Sequence, residues 1–226
     1  MIRIGTFLFP EESSWWRSTT LEALSKERRE IVIRAVLSHP DGALALRKQL
    51  ETLEQEVERL DRGEAVLSLH CGRFFEGRRR ELSVVLSPRE NAARIALKVL
   101  TLDRFERSDV LHRLNADISP PGNSIYLLNR GNFATPPVFQ VRPEEAMTRF
   151  RIEIGTESLN YSGSLNAGNI LTIDCERGIA LLNSDENTTN LVNDFPRLPS
   201  GWITVTLDSE TGADGTWEIQ YRDLWV

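Results

Sequence analysis

Residues 202–222, WITVTLDSETGADGTWEIQYR, decide the fold, because two runs of alternating apolar and polar side chains flank a polar segment. The apolar positions of the two runs are Ile203, Val205, Leu207, Trp217, Ile219 and Tyr221. A period of two residues is typical of a β-strand that buries one face. Between the runs, Asp214-Gly215 predicts a hairpin turn.

The same organisation extends over residues 114–226. A further run alternates at Phe150, Ile152 and Ile154, and turns rich in Gly, Asn, Pro and Asp separate the short strands. No convincing helical periodicity interrupts them. Many short strands joined by such turns indicate a β-sandwich, so this half of the chain is predicted to be all-β.

Residues 1–113 combine strands with one long helix over residues 42–61. The apolar stripe of this helix has helical spacing and consists of Leu46, Leu50, Leu53, Val57 and Leu60. Asp41 is the predicted N-cap, and Gly63 ends the helix. A coiled coil has the same spacing, but two heptads are too few for one, so we favour a helix packed on a sheet.

Strands are predicted around this helix over residues 1–9, 28–38, 64–71, 81–87 and 94–102. A small sheet with one helix across it is an α+β arrangement, and the whole chain is predicted to be mainly β. The residues between the first two strands are interpreted as a polar loop that carries Trp15 and Trp16. The segment Phe74-Phe75-Glu76-Gly77-Arg78 is interpreted as a connection, and Arg78-Arg79-Arg80 as the solvated tip of a hairpin.

Charge separates the two halves of the chain. Residues 1–113 carry 20 basic and 18 acidic side chains, whereas residues 114–226 carry 7 and 15. This difference supports two domains, 1–113 and 114–226. The net charge of −6 argues against sequence-specific nucleic-acid binding, which relies on clustered Lys and Arg. No apolar run is long enough to span a membrane, and the N-terminus lacks signal-peptide features.

The sequence shows no catalytic or cofactor-binding constellation. His39, His70 and His112 are interpreted as structural or surface histidines. His70 and Cys71 are adjacent on a predicted strand and point to opposite faces, so they cannot form a nucleophile pair. Cys71 and Cys175 are interpreted as reduced thiols. Metal, dinucleotide, phosphate-loop and nucleophile-elbow motifs are absent, so we expect no cofactor, no metal and no enzymatic activity.

Four aromatic residues lie in segments interpreted as loops, namely Trp15, Trp16, Phe74 and Phe75. Aromatic side chains on loops often anchor protein–protein contacts. They can equally pack under a loop of their own subunit. The sequence leaves both interpretations open, and these four residues form the candidate protein–protein interface.

The second half also carries an ordered series of short motifs. They are Leu128-Asn129-Arg130-Gly131-Asn132, Thr135-Pro136-Pro137, Tyr161-Ser162-Gly163-Ser164-Leu165, Ala167-Gly168-Asn169, Leu171-Thr172-Ile173-Asp174, Phe195-Pro196-Arg197-Leu198-Pro199-Ser200-Gly201 and Ile219-Gln220-Tyr221-Arg222-Asp223-Leu224-Trp225. In this order they resemble the C-terminal domain of the distal tail (Dit-like) proteins of long, flexible-tailed bacteriophages. The first half resembles the ring-forming domain of the same family in its layout of strands and helix.

The motif positions that we single out as structural are Asn129, Gly131, Gly168, Asp174, Phe195, Pro199, Gly201 and Tyr221. The turns around Gly131 and Gly168 are tight and need a permissive backbone. Residues 171–174 are predicted to form a half-buried strand. Residues 199–201 are predicted to form a turn that leads into the strand beginning at Trp202.

The resemblance implies a structural virion protein. In that family the N-terminal domains form a six-membered ring that continues the tail tube, and a galectin-like C-terminal sandwich projects outward. The resemblance therefore predicts a homohexameric hub in the virion tail, assembled in the host bacterial cytoplasm. Its partners would be the tail tube protein, the tape measure protein and the tail-tip or baseplate proteins. A galectin-like shape does not by itself imply sugar binding.

Two other classes of function remain as alternatives. A carbohydrate-binding module for host-surface attachment would use Trp202, Trp217 or Trp225 as a sugar platform, although the alternation around Trp217 favours a core position for that ring. A tail-tip hydrolase would need a paired acid and base, and the sequence singles out no two carboxylates.

Overall fold

The computed structural model describes residues 1–23, 26–87, 91–118, 122–209 and 214–226, and within them all side chains except those of residue 13 and residues 15–27. The chain forms two compact units, an N-terminal unit of Met1–Asp109 together with Val226, and a C-terminal unit of Val110–Trp225. A strand of the C-terminal unit begins at His112. The sequence-based division at residue 113 therefore falls inside that strand.

The described part of the N-terminal unit consists of short and long strands and one long helix. In chain order the elements are β1 (Arg3–Ile4), β2 (Phe7–Leu8), β3 (Ser14–Ala23), β4 (Lys26–Ser38), α1 (Ala43–Asp61), β5 (Leu67–Ser68), β6 (Arg73–Phe74), β7 (Gly77–Ser87), β8 (Ala92–Thr101) and β9 (Glu106–Ser108). The main sheet is antiparallel with the strand order β3-β4-β8-β7, and β2-β1-β5 form a smaller sheet.

One face of the main sheet is buried because the apolar side chains of its strands alternate. The buried residues of its two central strands are Ile31, Ile33, Ala35, Leu37, Ala93, Ile95, Leu97 and Val99. They share one apolar core with helix α1. The opposite face, which we call the outer face of the main sheet, presents exposed side chains such as Arg34 and Arg94.

The predicted helix is confirmed, and it begins one residue later than expected. Its predicted apolar stripe is buried in the core of the N-terminal unit, so the helix packs on strands as favoured from the sequence. Gly63 ends it with φ of 76°, a value that glycine adopts at little cost. The N–H of Gly63 donates to the carbonyl of Leu60 at 3.1 Å, and that of Glu64 donates to Arg59 at 2.8 Å. These two bonds satisfy carbonyls that the helix end would otherwise leave without partners.

The predicted N-cap at Asp41 is wrong. Gly42 occupies the N-cap position, and the N–H of Leu46 donates to its carbonyl at 3.2 Å. Asp41 instead lies beside His39, with Nδ1 of the histidine 3.6 Å from a carboxylate oxygen. Asp41 therefore belongs to the local turn around Pro40 and does not cap the helix.

Glu56 fastens the helix to the turn between β1 and β2. Its carboxylate is buried, accepts a hydrogen bond from the Thr6 hydroxyl at 2.8 Å and receives Nη1 of Arg59 at 2.9 Å. Burial opposes its ionisation, but the hydrogen bonds from Thr6 and Arg59 outweigh that effect and hold the pKa of Glu56 below its ordinary value. A side chain at Gly5 would collide with this carboxylate, and Gly5 also has φ of 52°. Both facts require glycine at this turn.

Two segments interpreted as connections are strands. The predicted polar loop at Trp15 and Trp16 is wrong, because their backbone belongs to β3, where Trp15 lies opposite Arg34 of β4. A strand at the edge of a sheet needs no strict apolar alternation, and its Ser- and Thr-rich sequence concealed it. The predicted hairpin tip at residues 78–80 is also wrong, because these arginines lie within β7 with Arg78 opposite Leu100.

The C-terminal unit is a sandwich of two antiparallel sheets. Its strands are β10 (His112–Ile118), β11 (Asn123–Asn129), β12 (Val138–Pro143), β13 (Met147–Ile154), β14 (Glu157–Leu165), β15 (Leu171–Asp174), β16 (Ile179–Leu182), β17 (Asp185–Glu186), β18 (Leu191–Val192), β19 (Gly201–Ser209), β20 (Gly215–Tyr221) and β21 (Leu224–Trp225). Sheet I has the order β10-β20-β12-β15-β16-β17, and sheet II has the order β11-β19-β13-β14-β18. The mainly β fold predicted from the sequence is confirmed.

The alternating runs bury the residues that the sequence predicts. Phe150, Ile152 and Ile154 of sheet II and Trp217, Ile219 and Tyr221 of sheet I all lie in one shared core. Trp217 is 1% exposed, which confirms its predicted core position and removes it from any sugar platform.

The hairpin predicted at Asp214-Gly215 does not form. β19 pairs with β11 and β13 in sheet II, whereas β20 pairs with β10 and β12 in sheet I. The two runs that decide the fold therefore lie in different sheets of the sandwich. The carbonyl of Asp214 instead accepts the N–H of Glu144 at 2.8 Å, and Gly215 lies opposite Pro143. Turn chemistry specifies a change of direction but not which strands become neighbours.

Replacing a core leucine of α1 tests the packing of the N-terminal unit. Leu53 is fully buried, so Leu53→Ala should lower the free energy of unfolding of this unit by about 2–5 kcal/mol through lost burial and a residual cavity. Leu44→Ala is the matched control, because Leu44 lies on the same helix and is 71% exposed. It should change the free energy by less than about 0.5 kcal/mol. Urea unfolding followed by circular dichroism at the helical band measures both, and equal losses would contradict this packing.

Candidate functional site

The sequence motifs of the C-terminal unit converge on the buried side chain of Asn129, at the end of β11. Its amide nitrogen donates to the carbonyls of Phe133 at 3.0 Å, Leu198 at 3.1 Å and Pro199 at 3.1 Å. Its amide oxygen accepts the N–H of Gly131 at 2.9 Å. One side chain therefore ties the turn after β11 to the segment before β19. The motif that contains Asn129 therefore contacts the motif that contains Pro199 directly.

Gly131 is required for lack of space rather than for an unusual backbone angle. A β-carbon at this position would collide with the backbone of Leu224. The close approach lets the N–H of Phe133 donate to the carbonyl of Leu224 at 3.2 Å. The hydroxyl of Ser200 donates to the carbonyl of Gly131 at 2.5 Å. The permissive backbone predicted at Gly131 is therefore wrong, and glycine is needed there because a side chain would not fit.

Asp223 completes the same network from the end of the chain. Its buried carboxylate accepts the N–H of Arg130 at 2.9 Å and lies 3.2 Å from Nε2 of His112. The ring of His112 stacks on Tyr221 with 4.7 Å between centroids. Burial, followed by the nearby Asp223, raises the pKa of Tyr221, so its hydroxyl stays protonated and donates to the carbonyl of Leu128 at 3.0 Å. His112 is therefore a structural histidine.

The remaining motif residues shape turns. Gly168 and Gly201 have φ of 81° and 101°, which favour glycine. Oδ1 of Asp174 accepts the N–H groups of Glu176 and Arg177, each at 3.0 Å, and so closes the turn between β15 and β16. Phe195 packs partly buried against the sandwich core. The motif set is architectural, and it holds the sandwich ends together.

The four candidate interface aromatics have different surroundings. Phe75 is 2% exposed and lies in the core of the N-terminal unit, with the guanidinium of Arg29 5.7 Å from its ring centroid. Phe74 is half-buried. The side chains of Trp15 and Trp16 lie outside the described residues. An accessible anchoring role is therefore not available to Phe75 in this conformation, and the part of this interface that the other three would form remains a prediction.

Two strand edges of the main sheet are open. Within the described residues β3 pairs only with β4, and β7 pairs only with β8. β3 has 10 residues and β7 has 11. Near the end of β7, Val85 and Leu86 are each 60% exposed. Long open edges with exposed apolar side chains readily add a strand of another chain.

Sheet II presents an exposed aromatic pair on its outer surface. Tyr126 of β11 and Trp202 of β19 are each 64% exposed, and their rings are stacked with 4.7 Å between centroids and 6° between planes. The sequence singled out Trp202 but missed Tyr126. The signal was available, because Ile125 and Leu127 are apolar neighbours that turn inward and direct Tyr126 outward.

The described residues contain no group of three or more His, Cys, Asp or Glu side chains placed to hold a metal ion. His70 lies 2.8 Å from the buried carboxylate of Glu106, and Arg73 lies 3.7 Å from the same group. This cluster neutralises a buried charge. Both cysteines are free, with Cys71 exposed and Cys175 buried. Burial, reinforced by Asp174, raises the pKa of Cys175 to about 12, so its thiol stays protonated at neutral pH.

Across the described part of the chain, no helix combines the length and the apolar character that crossing a membrane requires.

Comparisons with known proteins agree with this architecture. Residues 130–225 match the family model described as siphovirus-type tail component, C-terminal domain. Among solved structures, the chain is similar to the Dit protein (gp 19.1) of phage SPP1, described as a paradigm of the hub adsorption apparatus in phages that infect Gram-positive bacteria. The TM-score is 0.62 and the identity 13%, over 100% of this chain and 92% of the other. A search of curated proteins finds no match.

Both findings point to one class of protein, the structural components of phage tails, as the class that this chain resembles. The matched domain covers most of the C-terminal unit, and the likeness in fold extends over both units. Residues 130–225 thus resemble the C-terminal domain of siphovirus-type tail components, and the chain as a whole shares the fold of a Dit protein. The resemblance read from the motifs is thereby confirmed.

Removal of the Asn129 amide tests its structural role. Asn129→Ala leaves three carbonyls and one N–H without this partner, and it should lower the free energy of unfolding of the C-terminal unit by about 2–4 kcal/mol. Asn115→Ala is the matched control, because Asn115 is an exposed residue of β10. Thermal unfolding followed by near-ultraviolet circular dichroism, compared between the two variants, measures the loss. A loss no greater than that of the control would contradict the network.

The raised pKa of Cys175 predicts its reactivity. At about pH 8 a thiol with a pKa near 12 is ionised in about one molecule in ten thousand, so iodoacetamide should modify the native chain only at Cys71. Modification of Cys175 should appear once the chain is unfolded in urea, and it should appear in the native protein only as the pH approaches the raised pKa. Mass spectrometry of tryptic peptides measures both sites. Equal labelling of the two cysteines in the native protein would contradict the assignment.

Proposed function

We propose that the protein forms a homohexameric ring that acts as the hub of a phage tail, between the tail tube and the tail tip or baseplate. The observation that carries this proposal is the main sheet of the N-terminal unit, with long open strands at both of its edges. The likeness in fold to a protein described as a hub adsorption apparatus supports it. The number six rests on the resemblance to the distal tail proteins.

The two open edges lie at opposite sides of one sheet, because the strand order is β3-β4-β8-β7. Pairing of β7 in one subunit with β3 in the next uses two different surfaces, which makes a head-to-tail contact. Such a contact propagates from subunit to subunit and gives a ring when the rotation closes. Each added contact would hydrogen-bond backbone groups that the isolated subunit exposes to water.

A closed ring of this kind leaves a channel at its centre. In this proposal the ring continues the tail tube, and its neighbours are the tail tube protein, the tape measure protein and the tail-tip or baseplate proteins. Assembly takes place in the host cytoplasm. The protein then works through its interfaces and needs no catalytic group. Ring contacts at β3 would bring Trp15 and Trp16 to the subunit boundary.

The mass of the assembly tests the proposal. Light scattering of the purified protein should give roughly six times the subunit mass of 25.7 kDa. Negative-stain images of the same sample should show rings with an open centre. A strict monomer at every concentration, or a closed particle with another number of subunits, would contradict the hexamer.

Charges placed on the edge of β7 test how the ring closes. The double variant Val85→Lys, Leu86→Lys puts like charges on an edge that is proposed to receive a neighbouring strand, and it should shift the light-scattering mass from ring to monomer. The matched control Ile170→Lys, Val192→Lys alters two partly exposed apolar residues of the C-terminal unit and should leave the ring intact. A ring that persists in the β7 variant, with the control also unchanged, would show that this edge does not form the contact.

A further inference from the structure

The outer surface of sheet II carries an aromatic pair, and the proposed ring contact at the edges of the main sheet assigns no role to it. Tyr126 lies opposite Thr204, and Trp202 lies opposite Leu128, so the two rings meet on the diagonal between β11 and β19. Both rings are 64% exposed. Large aromatic side chains at such exposure lose the favourable burial that they obtain in a core. Their place on the surface points to a ligand.

A polar cleft opens on the same sheet. It has a volume of about 350 Å³ and is lined by the turn at residues 156–158 and by the segment 193–197. The register places it on the outer surface, because Ser124, Thr206, Glu153 and Ser158 lie in one row across four adjacent strands. The buried neighbours of this row, such as Ile152 and Leu159, point into the core. β19 and β14 are two strand spacings apart, roughly 10 Å, and Trp202 lies four residues along β19 from this row, so the aromatic pair and the cleft lie roughly 15 Å apart.

The polar groups of the cleft are held in place. The carboxylate of Glu157 accepts the N–H of Arg197 at 3.2 Å. The side-chain amide of Asn193 donates to the carbonyl of Ser158, also at 3.2 Å. On the same two strands as the rings, two residues from Tyr126 and Thr204, the hydroxyls of Ser124 and Thr206 are 2.9 Å apart. The surface therefore offers flat apolar rings at one end and oriented donors and acceptors at the other.

The size of the aromatic patch decides between a protein partner and a small ligand. Tyr and Trp each present about 150–250 Å², so two rings at this exposure offer roughly 300 Å². A stable protein–protein interface needs about 800 Å² from each partner. Beside the half-buried Leu128 opposite Trp202, the flanking side chains on these two strands are polar, namely Ser124, Thr204 and Thr206. A ligand with flat rings and many hydroxyl groups matches this surface better than a second protein does.

The charge of the domain decides the class of that ligand. Residues 114–226 carry 7 basic and 15 acidic side chains, and the cleft itself contains Glu157 and Asp194 beside Arg197. Nucleic acids and other polyanions are repelled by such a surface. We propose that the outer surface of sheet II is a binding site for a neutral oligosaccharide of at least two linked sugar rings.

Each part of the surface has a distinct role in this site. The C–H face of a sugar ring carries partial positive charge and stacks on the negative face of Trp202 or Tyr126. The carboxylates of Glu157 and Asp194 accept hydrogen bonds from sugar hydroxyls, and the guanidinium of Arg197 donates to sugar oxygens. Stacking gives most of the affinity, and the cleft selects the orientation of the hydroxyls. The site does not rest on the proposed hexamer.

The test uses the full-length protein on a glycan array that holds neutral and anionic oligosaccharides. The wild-type protein should bind neutral glycans and should not bind anionic glycans. Trp202→Ala should reduce binding at least about tenfold, and Tyr126→Ala should reduce it too, through the loss of one stacking face. Leu44→Ala is the matched control, because this exposed residue of α1 lies on the other unit. It should leave the array signal unchanged.

Two checks separate this proposal from the hub proposal. Light scattering of every variant establishes that its assembly state equals that of the wild type, so a lost signal does not come from lost multivalency. Titration of labelled protein with the best array ligand, followed by the indole N–H resonance of Trp202, locates binding on the ring. The proposed site would be overturned if the protein bound no neutral glycan on the array or bound only anionic glycans. Unchanged binding by both aromatic variants would overturn it too. None of these results bears on the ring.

Discussion

Each sheet of this protein must bury one face, and that constraint determines which surfaces are left for other molecules. In the N-terminal unit a single helix covers one face of the main sheet, so the opposite face and both edges stay available. In the C-terminal unit the two sheets cover each other, and their outer surfaces remain. The regions proposed to bind other molecules are the surfaces that core formation leaves over. No catalytic group is needed to explain them.

Periodicity predicted the parts of the fold that depend on burial alone. The apolar stripe of residues 42–61 gave the helix, and the alternation at Phe150, Ile152 and Ile154 gave a strand with one buried face. Periodicity does not predict which distant strands pair with each other. The assumed hairpin at Asp214-Gly215 failed because β19 and β20 find their partners elsewhere in the chain, and the sequence between them does not encode those partners.

The candidate sites were predicted less well, for a related reason. The sequence around Phe75 predicts an aromatic residue on a loop, but its ring is buried. Its backbone forms a β-bridge with Leu67, which lies in a separate segment. Asn129 reads as turn chemistry, yet its amide reaches carbonyls about 70 residues further along the chain. The alternation around Tyr126 predicts an exposed ring, but its stacking partner Trp202 lies on a neighbouring strand that is distant in sequence. Sites assembled from distant residues leave no compact signal in a sequence.

The low sequence identity to the similar solved structure is explained by the way in which apolar cores tolerate substitution. Cores tolerate many apolar replacements when volume and pattern are kept, so the two chains share an arrangement of strands with few identical residues. In this protein the buried polar contacts lie at the ends of the sandwich. The geometry of these ends depends on one buried amide, one glycine without room for a side chain and one buried carboxylate.

The pairing of β10 with β20 also governs the order in which the chain folds during synthesis. These strands join residues 112–118 to residues 215–221, so sheet I stays incomplete until the last part of the sandwich has left the ribosome. The N-terminal unit has its long strands and its helix available much earlier, and domains emerging first generally fold first. During translation the open edges of the main sheet are therefore formed while the rest of the same chain is still unfolded. Nascent chains on one messenger RNA would therefore expose edges that can pair with one another before their sandwiches are complete.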